Sequence, residues 1–180
     1  MATQEWFLGI DPSAASTGVT AISNDGDKIV KAIVTGNLRG AERLLFISSN
    51  LQAALIGKKI TSCFIESPAY DAVHKEFILG EVLGCIKLTL IQNGVYNIRD
   101  ATPTQVKKFM AGSGRASKDQ VSAAAVLDGC PSTQNDITDS WSLARIAQSV
   151  HAGRSCINKR HSVEVIHSII SKDKKLIADS

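Results

Sequence analysis

Short apolar runs alternate with longer segments of helical periodicity along most of this chain, and this alternation constrains the fold more than any other feature. Trp6–Asp11 is an apolar run that stops at Asp-Pro, which is typical of a buried strand. Val19–Ser23 and Ile29–Val34 flank Asn24-Asp25-Gly26-Asp27, a turn sequence, and therefore predict a hairpin. Cys63–Glu66 and Val95–Arg99 predict two further strands.

Helices are predicted between and after these strands. Arg39–Gly57 and His74–Asn93 have apolar residues at helical spacing. Thr102-Pro103-Thr104-Gln105 and Ser117-Lys118-Asp119-Gln120 each resemble a capping box that opens a helix. A last core helix begins near Asn135 or Asp136 and runs to about Val150. Strands that alternate with helices predict an α/β fold, with helices packed on the faces of a sheet.

Length and charge indicate one domain with a distinct tail. A chain of 180 residues suffices for one buried core. We expect one domain over residues 1–150 and a basic, helical extension of it over residues 151–180. Residues 1–150 contain equal numbers of acidic and basic side chains, so the net charge of +3 lies in the tail. This excess indicates either a phosphate-bearing partner or a solvated terminal helix.

The chain shows no sign of membrane insertion or export. Its apolar runs are short and are interrupted by Lys, Gly or Ser, unlike a membrane span. The N-terminus has no basic patch followed by an apolar stretch and a cleavage site. We therefore predict a cytoplasmic protein without a membrane partner.

Four acidic residues stand at positions that suit a metal site. Asp11 and Glu66 end apolar strands, where α/β proteins commonly build their sites. Asp136 and Asp139 are three residues apart, so they share one face near the start of a helix. Hard divalent cations such as Mg²⁺ prefer carboxylate oxygens, and a pair of ions needs roughly four of them. Such a pair catalyses phosphodiester hydrolysis.

Each acid also has a simpler structural explanation. Asp136 could be a helix N-cap with Asp139 one turn later, and Asp11 could open an Asp-Pro turn. A single Glu at the end of an apolar strand has no such capping role. The four acids together therefore favour a site.

The segments around these acids resemble the RuvC resolvases. Leu8–Pro12 with Thr17-Gly18 resembles the opening of that family, and Phe64–Glu66 resembles its second acid. Two segments resemble the family's basic segments, and one resembles its final helix: Val106–Lys108, Ser117–Val121 and Asp136–Ala144. The resemblance covers about residues 6–150, in family order and spacing.

The resemblance implies an RNase H-like fold with a mixed central sheet flanked by helices. It further implies a homodimer that nicks four-way DNA junctions in pairs, leaving 5′-phosphate and 3′-hydroxyl ends. Asp11, Glu66, Asp136 and Asp139 would bind two Mg²⁺ or Mn²⁺ ions in each active site. Lys118 would lie near the scissile phosphate as a catalytic cation. The DNA contacts would come from Lys107, Lys108, Arg115, Lys118 and Tyr70.

Three departures from the family pattern stand out. Ser13 replaces the usual Gly, and Ser67-Pro68 replaces the usual Gln after the second acid. Ala69 occupies the position of the family's junction-contacting aromatic residue, for which the adjacent Tyr70 could substitute. These departures predict altered junction recognition rather than altered chemistry, and they suggest a divergent, phage-encoded member.

Other functions remain open. The Gly9-Ile10-Asp11 opening also resembles actin-like ATPases, but those need two large domains, and the Gly112-Ser113-Gly114 loop lacks the spacing of a nucleotide-binding loop. We therefore predict no nucleotide cofactor. The remaining alternatives are a nuclease that processes structured RNA and a non-catalytic DNA-binding module on the same fold.

Overall fold

The structure, a computed structural model, describes residues 4–67 and 73–178. Along this part of the chain lie five strands, β1 to β5, and six helices, α1 to α6. In chain order they are β1 Glu5–Asp11, β2 Ser16–Ser23, β3 Lys28–Val34, α1 Gly40–Leu55, β4 Lys59–Glu66, α2 Val73–Gln92, β5 Ile98–Ala101, α3 Pro103–Ala111, α4 Lys118–Leu127, α5 Asn135–His151 and α6 Arg160–Ala178.

The strands form one mixed sheet in the order β3-β2-β1-β4-β5. Strand β2 pairs antiparallel with β1 on one side and with β3 on the other, and β2 and β3 form the predicted hairpin. Strands β4 and β5 each pair parallel to their neighbour, because α1 and α2 return the chain to the same end of the sheet. The α/β prediction is confirmed. Strand β5 begins at Ile98, whereas the sequence predicts a strand over Val95–Arg99. Val95 precedes the strand and is buried in the core between the sheet and helices α1 and α2.

Alternate residues of the central strands supply two cores. On β1, Leu8 and Ile10 join the core that includes Ile47 of α1 and Ile86 of α2. Phe7 faces the opposite side, where helices α3 to α6 pack. A strand presents successive side chains to opposite faces, so this parity also fixes the direction of every other residue in the strand.

Both predicted capping boxes are present. The hydroxyl of Thr102 accepts a hydrogen bond from the backbone N–H of Gln105, and Ser117 does the same for Gln120. In each case the glutamine side chain accepts in return from the cap residue's N–H. These reciprocal bonds satisfy N–H groups that a helix start leaves without partners. They fix where the lysine-bearing helices α3 and α4 begin.

Helix α6 packs on the body of the protein. Val165, Ile166 and Ile169 are buried in the same core as α3 and α5. The hydroxyl of buried Ser162 donates to the carbonyl of Phe109 on α3 at 2.8 Å. Within the described ranges, none of the helices has the length and apolar character needed to cross a membrane.

Candidate active site

Asp11 and Glu66 lie at the same edge of the sheet and point to the same face. They are the last residues of the parallel neighbours β1 and β4, which pair Ile10 with Ile65 just before them. Ile10 and Ile65 face the α1–α2 core. By strand alternation, both acids therefore face α5.

Helix α5 approaches that edge closely because two glycines face it. A Cβ atom at Gly9 would lie 2.9 Å from the carbonyl carbon of Leu143, and nearer still to backbone atoms of Ser140 and Ala144. A Cβ atom at Gly18 would lie 2.6 Å from the carbonyl carbon of Asp136. Any larger residue would push the helix away, because these neighbours are backbone atoms that cannot rotate aside.

The close approach brings the remaining two acids to the sheet edge. Helix α5 starts at Asn135 with Gln134 as its N-cap, which makes no side-chain capping bond. Asp136 is therefore inside the first turn, so the alternative interpretation of Asp136 as the N-cap is wrong. Asp139 lies one turn later on the same side. The positive end of the helix favours a carboxylate in this first turn.

The carboxylates repel one another at this edge. Burial raises the pKa of Asp11 to about 8, and the charges of Glu66, Asp139 and Asp136 contribute to the increase. Burial and the charge of Asp139 raise the pKa of Glu66 to about 7. Burial also raises the pKa of Asp139. Like charges that share a half-buried site disfavour ionisation in this way.

Two lysines lie near enough to offset this repulsion. The charge of Lys118, at the start of α4, counteracts the raised pKa values of Asp11, Glu66 and Asp139. Lys107, in the middle of α3, acts in the same direction on Glu66 and Asp139. The sequence predicts a DNA-backbone contact for Lys107, and the structure also places this residue beside the acids.

Lys108 and Arg115 are not among the charges that act on these acids. Lys108 forms an ion pair with Glu164 of α6 at 3.0 Å. Arg115 is exposed in the loop between α3 and α4, where its N–H donates to the Ser113 hydroxyl at 3.2 Å. Tyr70 lies outside the described residues. The DNA-binding roles of these three residues stay predictions.

Asp136 has two partners that the sequence analysis missed. Its Oδ2 atom accepts a hydrogen bond from the hydroxyl of Ser16, the first residue of β2, and a second one from the Gln134 side chain at 3.3 Å. Ser16 has the same strand parity as Gly18 and therefore faces α5. Neither partner has a sequence signature, because their roles depend on how α5 docks against β2.

The loop after Asp11 accommodates Ser13 in place of the glycine expected from the resemblance. No residue other than glycine has a positive φ angle in the described part of the chain. The hydroxyl of Ser13 accepts a hydrogen bond from the N–H of Ala15 at 3.3 Å, and Thr17 donates its hydroxyl to the Ser13 carbonyl at 2.8 Å. A serine side chain thus closes this turn itself.

The donor set fits an oxygen-preferring divalent cation in its chemistry. Three carboxylates with raised pKa values, beside a fourth whose charge adds to the increase at Asp11 and Asp139, form a site in which bound positive charge is favourable. Among the described residues, no three Asp, Glu, His or Cys side chains converge closely enough to hold a metal as they stand. One reason is that Asp136 is directed to Ser16 and Gln134. Binding would therefore require side-chain rotation and loss of the proton from Asp11.

We expect the metal-free protein to lose stability as the pH rises. The pKa of Asp11 increases from 3.8 to about 8 on folding, so the folded state retains a proton that the unfolded chain releases. The stabilising contribution is complete below about pH 4 and is lost as the pH rises through about 8. In EDTA, the melting temperature should fall more steeply towards alkaline pH for the wild type than for Asp11→Asn.

Divalent cations should reverse this loss. Mg²⁺ bound at Asp11 would compete with the proton, so we expect added Mg²⁺ to raise the wild-type melting temperature more at alkaline than at acidic pH. The Asp11→Asn variant is the control and should respond weakly. Parallel pH profiles for the two proteins in EDTA would contradict the placement of Asp11 among the other acids.

Comparison with known proteins identifies the family. The family model described as crossover junction endodeoxyribonuclease RuvC matches residues 7–146. A RuvC from Anaeromyxobacter sp. (strain Fw109-5) is 30% identical over 166 residues, which cover 88% of this chain and 80% of that relative. A RuvC from Caldicellulosiruptor saccharolyticus is 35% identical over 121 residues, covering 63% of this chain and 72% of the relative.

Solved structures share the fold. The T. thermophilus RuvC in complex with a Holliday junction substrate superposes with a TM-score of 0.67 at 21% identity, covering 77% of this chain and 90% of that one. The yeast mitochondrial Holliday junction resolvase Ydc2 gives a TM-score of 0.52 at 13% identity, covering 97% of this chain and 84% of the resolvase. The RNase H-like fold is thereby confirmed, while a phage origin stays a prediction. On the family match and the sequence identity, this chain belongs to the RuvC family of crossover junction endodeoxyribonucleases.

Proposed function

We propose that this protein is a Mg²⁺- or Mn²⁺-dependent endodeoxyribonuclease that resolves four-way DNA junctions by paired nicking. The observation that carries the proposal is that four carboxylates and two lysines lie near enough for their charges to act on one another where α5 crosses the ends of β1 and β4. Family membership supports the same activity, because the matched relatives are named as crossover junction endodeoxyribonucleases.

The site residues divide the chemistry between them. Asp11, Glu66, Asp136 and Asp139 would hold two ions, which when bound activate the attacking water and stabilise the leaving oxygen. Hydrolysis would then break the bond between phosphorus and the 3′ oxygen, giving 5′-phosphate and 3′-hydroxyl ends. Lys118 would offset the negative charge that develops on the phosphate. Ser16 and Gln134 hold one oxygen of Asp136 in the metal-free protein, and Asp136 would rotate away from them to reach an ion.

A side-by-side cleavage assay tests this proposal. Synthetic four-way junction, fork, linear duplex and RNA hairpin should each be incubated with the protein and Mg²⁺. We expect symmetric cuts in the junction and little cleavage of the duplex or the hairpin. Preferential cleavage of the hairpin would favour the RNA-processing alternative. Binding that persists in EDTA, with no cleavage of any substrate in Mg²⁺, would favour the non-catalytic module.

The two lysines should differ in their contributions. Lys118 acts on three of the acids and Lys107 on two. We expect Lys118→Met to lower the cleavage rate at saturating junction by roughly a hundredfold, with little change in the dissociation constant. Lys107→Met should weaken binding to the junction. It should also reduce the salt slope, which is the slope of log affinity against log salt concentration, by about one unit. Its position beside Glu66 predicts an additional, smaller loss of rate. Equal slopes and equal rates in the two variants would contradict this division.

We further propose that the protein acts as a homodimer through the outer face of α2. Phe77, Leu88 and Ile91 lie on one side of that helix and are 73%, 58% and 47% exposed. Leu45 on neighbouring α1 is 69% exposed. An apolar face of this kind on a monomer is typical of a protein interface. A second copy of the chain would supply the second active site that paired nicking needs.

The dimer is tested by placing a charge in this face. We expect Leu88→Glu to halve the mass measured by sedimentation and to uncouple the two nicks. Leu127→Glu is the matched control, because Leu127 is 87% exposed on α4, away from α1 and α2. A Leu88→Glu protein that remains dimeric would exclude this face.

A further inference from the structure

The start of α6 carries exposed positive charge that the fold does not require. This helix begins at Arg160, beyond the family match that ends at residue 146. Its apolar side is fixed in the core, so its polar side has a defined direction. Lys159 and Arg160 are exposed at its N-terminal end. The dipole of a helix disfavours cations at its positive end, so stability does not explain them.

These cations lie beside α3, which carries lysines of the active site. Glu164 joins the two helices, since it forms ion pairs with Lys108 at 3.0 Å and with Arg160 at 3.1 Å. The His161 ring lies beside Gly112, where an added Cβ would be 3.2 Å from Nδ1. We define the basic strip as Lys108, Lys159 and Arg160.

The strip continues a row of basic side chains that begins beside the acids of the active site. Lys107, adjacent to Lys108 on α3, acts on Glu66 and Asp139. The loop that follows Gly112 leads through exposed Arg115 to Lys118. Glu164 offsets one of the three charges of the strip, and exposed Asp119 is a nearby acid on α4. The balance stays positive from the acids to the start of α6.

We infer that the basic strip binds backbone phosphates of a DNA arm that leaves the active site. The inference rests on the proposed function, because the arm is part of the junction that the four acids would cut. The side chain of Arg160 is 94% exposed although it pairs with Glu164, so a phosphate can reach it without rearrangement of the core. An exposed ion pair between residues four apart contributes little to stability, so a phosphate contact can replace it.

Point substitutions test the strip better than truncation. Removing α6 would take Val165, Ile166 and Ile169 out of the core. The packing of the remaining helices on that face of the sheet would then be disrupted. We expect Lys159→Ala/Arg160→Ala to weaken binding to junction and duplex by similar factors in EDTA, where no strand is cut. The slope of log affinity against log salt should fall by about two units. Cut sites on the junction in Mg²⁺ should not change.

A second double variant controls for the loss of charge. Lys59 and Lys172 are both exposed. Lys59 starts β4, at the end of the strand opposite Glu66, and Lys172 lies twelve residues after Arg160, about 18 Å further along α6. Lys59→Ala/Lys172→Ala removes the same charge and should keep the wild-type salt slope. Equal loss of slope in both double variants would show a general charge effect and overturn the inference.

The Glu164→Gln substitution should change DNA binding in the opposite direction. It removes the acid that neutralises Lys108 and Arg160, so binding should tighten and the salt slope should steepen by about one unit. Unchanged binding in this variant, or a lowered melting temperature with an unchanged slope in Lys159→Ala/Arg160→Ala, would leave only a packing role for α6. Absence of junction cleavage by the wild type would instead refute the proposed function, whatever the slopes show.

Discussion

Replacing any one of the four acids by its amide is expected to reduce junction cleavage by roughly a thousandfold or more, because in the proposed site each would supply an oxygen to the same ions. The variants are Asp11→Asn, Glu66→Gln, Asp136→Asn and Asp139→Asn. Junction binding should be retained or become tighter, since each change also removes negative charge that faces the phosphates. Cleavage rates under single-turnover conditions and dissociation constants in EDTA separate these two effects.

Asp119→Asn is the matched control for the acids. Asp119 is exposed next to Lys118 in the first turn of α4, and it has no place among the four carboxylates. The Asp119→Asn protein should cut junctions at the wild-type rate and bind them slightly more tightly. Full activity in one of the four acid variants would remove that residue from the proposed metal site and leave the other three to be explained.

Adding one methyl group at Gly18 is expected to damage both the fold and the active site. The new Cβ would meet the backbone of Asp136, and at Gly9 it would meet the backbone of α5 between Ser140 and Ala144. Crowding of this kind costs about 1–3 kcal/mol of unfolding free energy, or more where the backbone must move. Because α5 carries two of the acids, its displacement should also lower the cleavage rate by more than the loss of folded protein.

Urea unfolding and cleavage measured on the same samples test this prediction. Gly18→Ala and Gly9→Ala should both lower the unfolding midpoint, and Mg²⁺ should stabilise either variant less than it stabilises the wild type. A variant with a lower midpoint but normal Mg²⁺ stabilisation and normal cleavage per folded molecule would show that α5 accommodates the methyl group. In that case the glycines would contribute to packing alone.

Much of this arrangement follows from local sequence patterns. The Asn-Asp-Gly turn predicts the β2–β3 hairpin, and the capping boxes at Thr102 and Ser117 predict where α3 and α4 begin. Local hydrogen bonds determine these features, so a single sequence reveals them. The strand ends at Asp11 and Glu66 are likewise visible as the points where apolar runs stop.

The remaining features depend on how distant elements pack. Ser16 and Asp136 are in contact although they lie 120 residues apart in the sequence, so no local pattern predicts their contact. Lys107 and Lys108 are adjacent in sequence, yet one acts on the acids and the other pairs with α6. The sequence predicts a strand from Val95, but β5 begins at Ile98, because Val95 is apolar through burial rather than through membership of a strand.

The assembly of the four acids from three distant segments has a consequence for synthesis in the cell. Asp11 and Glu66 emerge from the ribosome long before Asp136 and Asp139, and the sheet edge becomes a complete site only when α5 docks. Nascent, truncated or partly unfolded chains therefore lack the full ligand set. We therefore expect unfinished copies of this protein to leave DNA uncut.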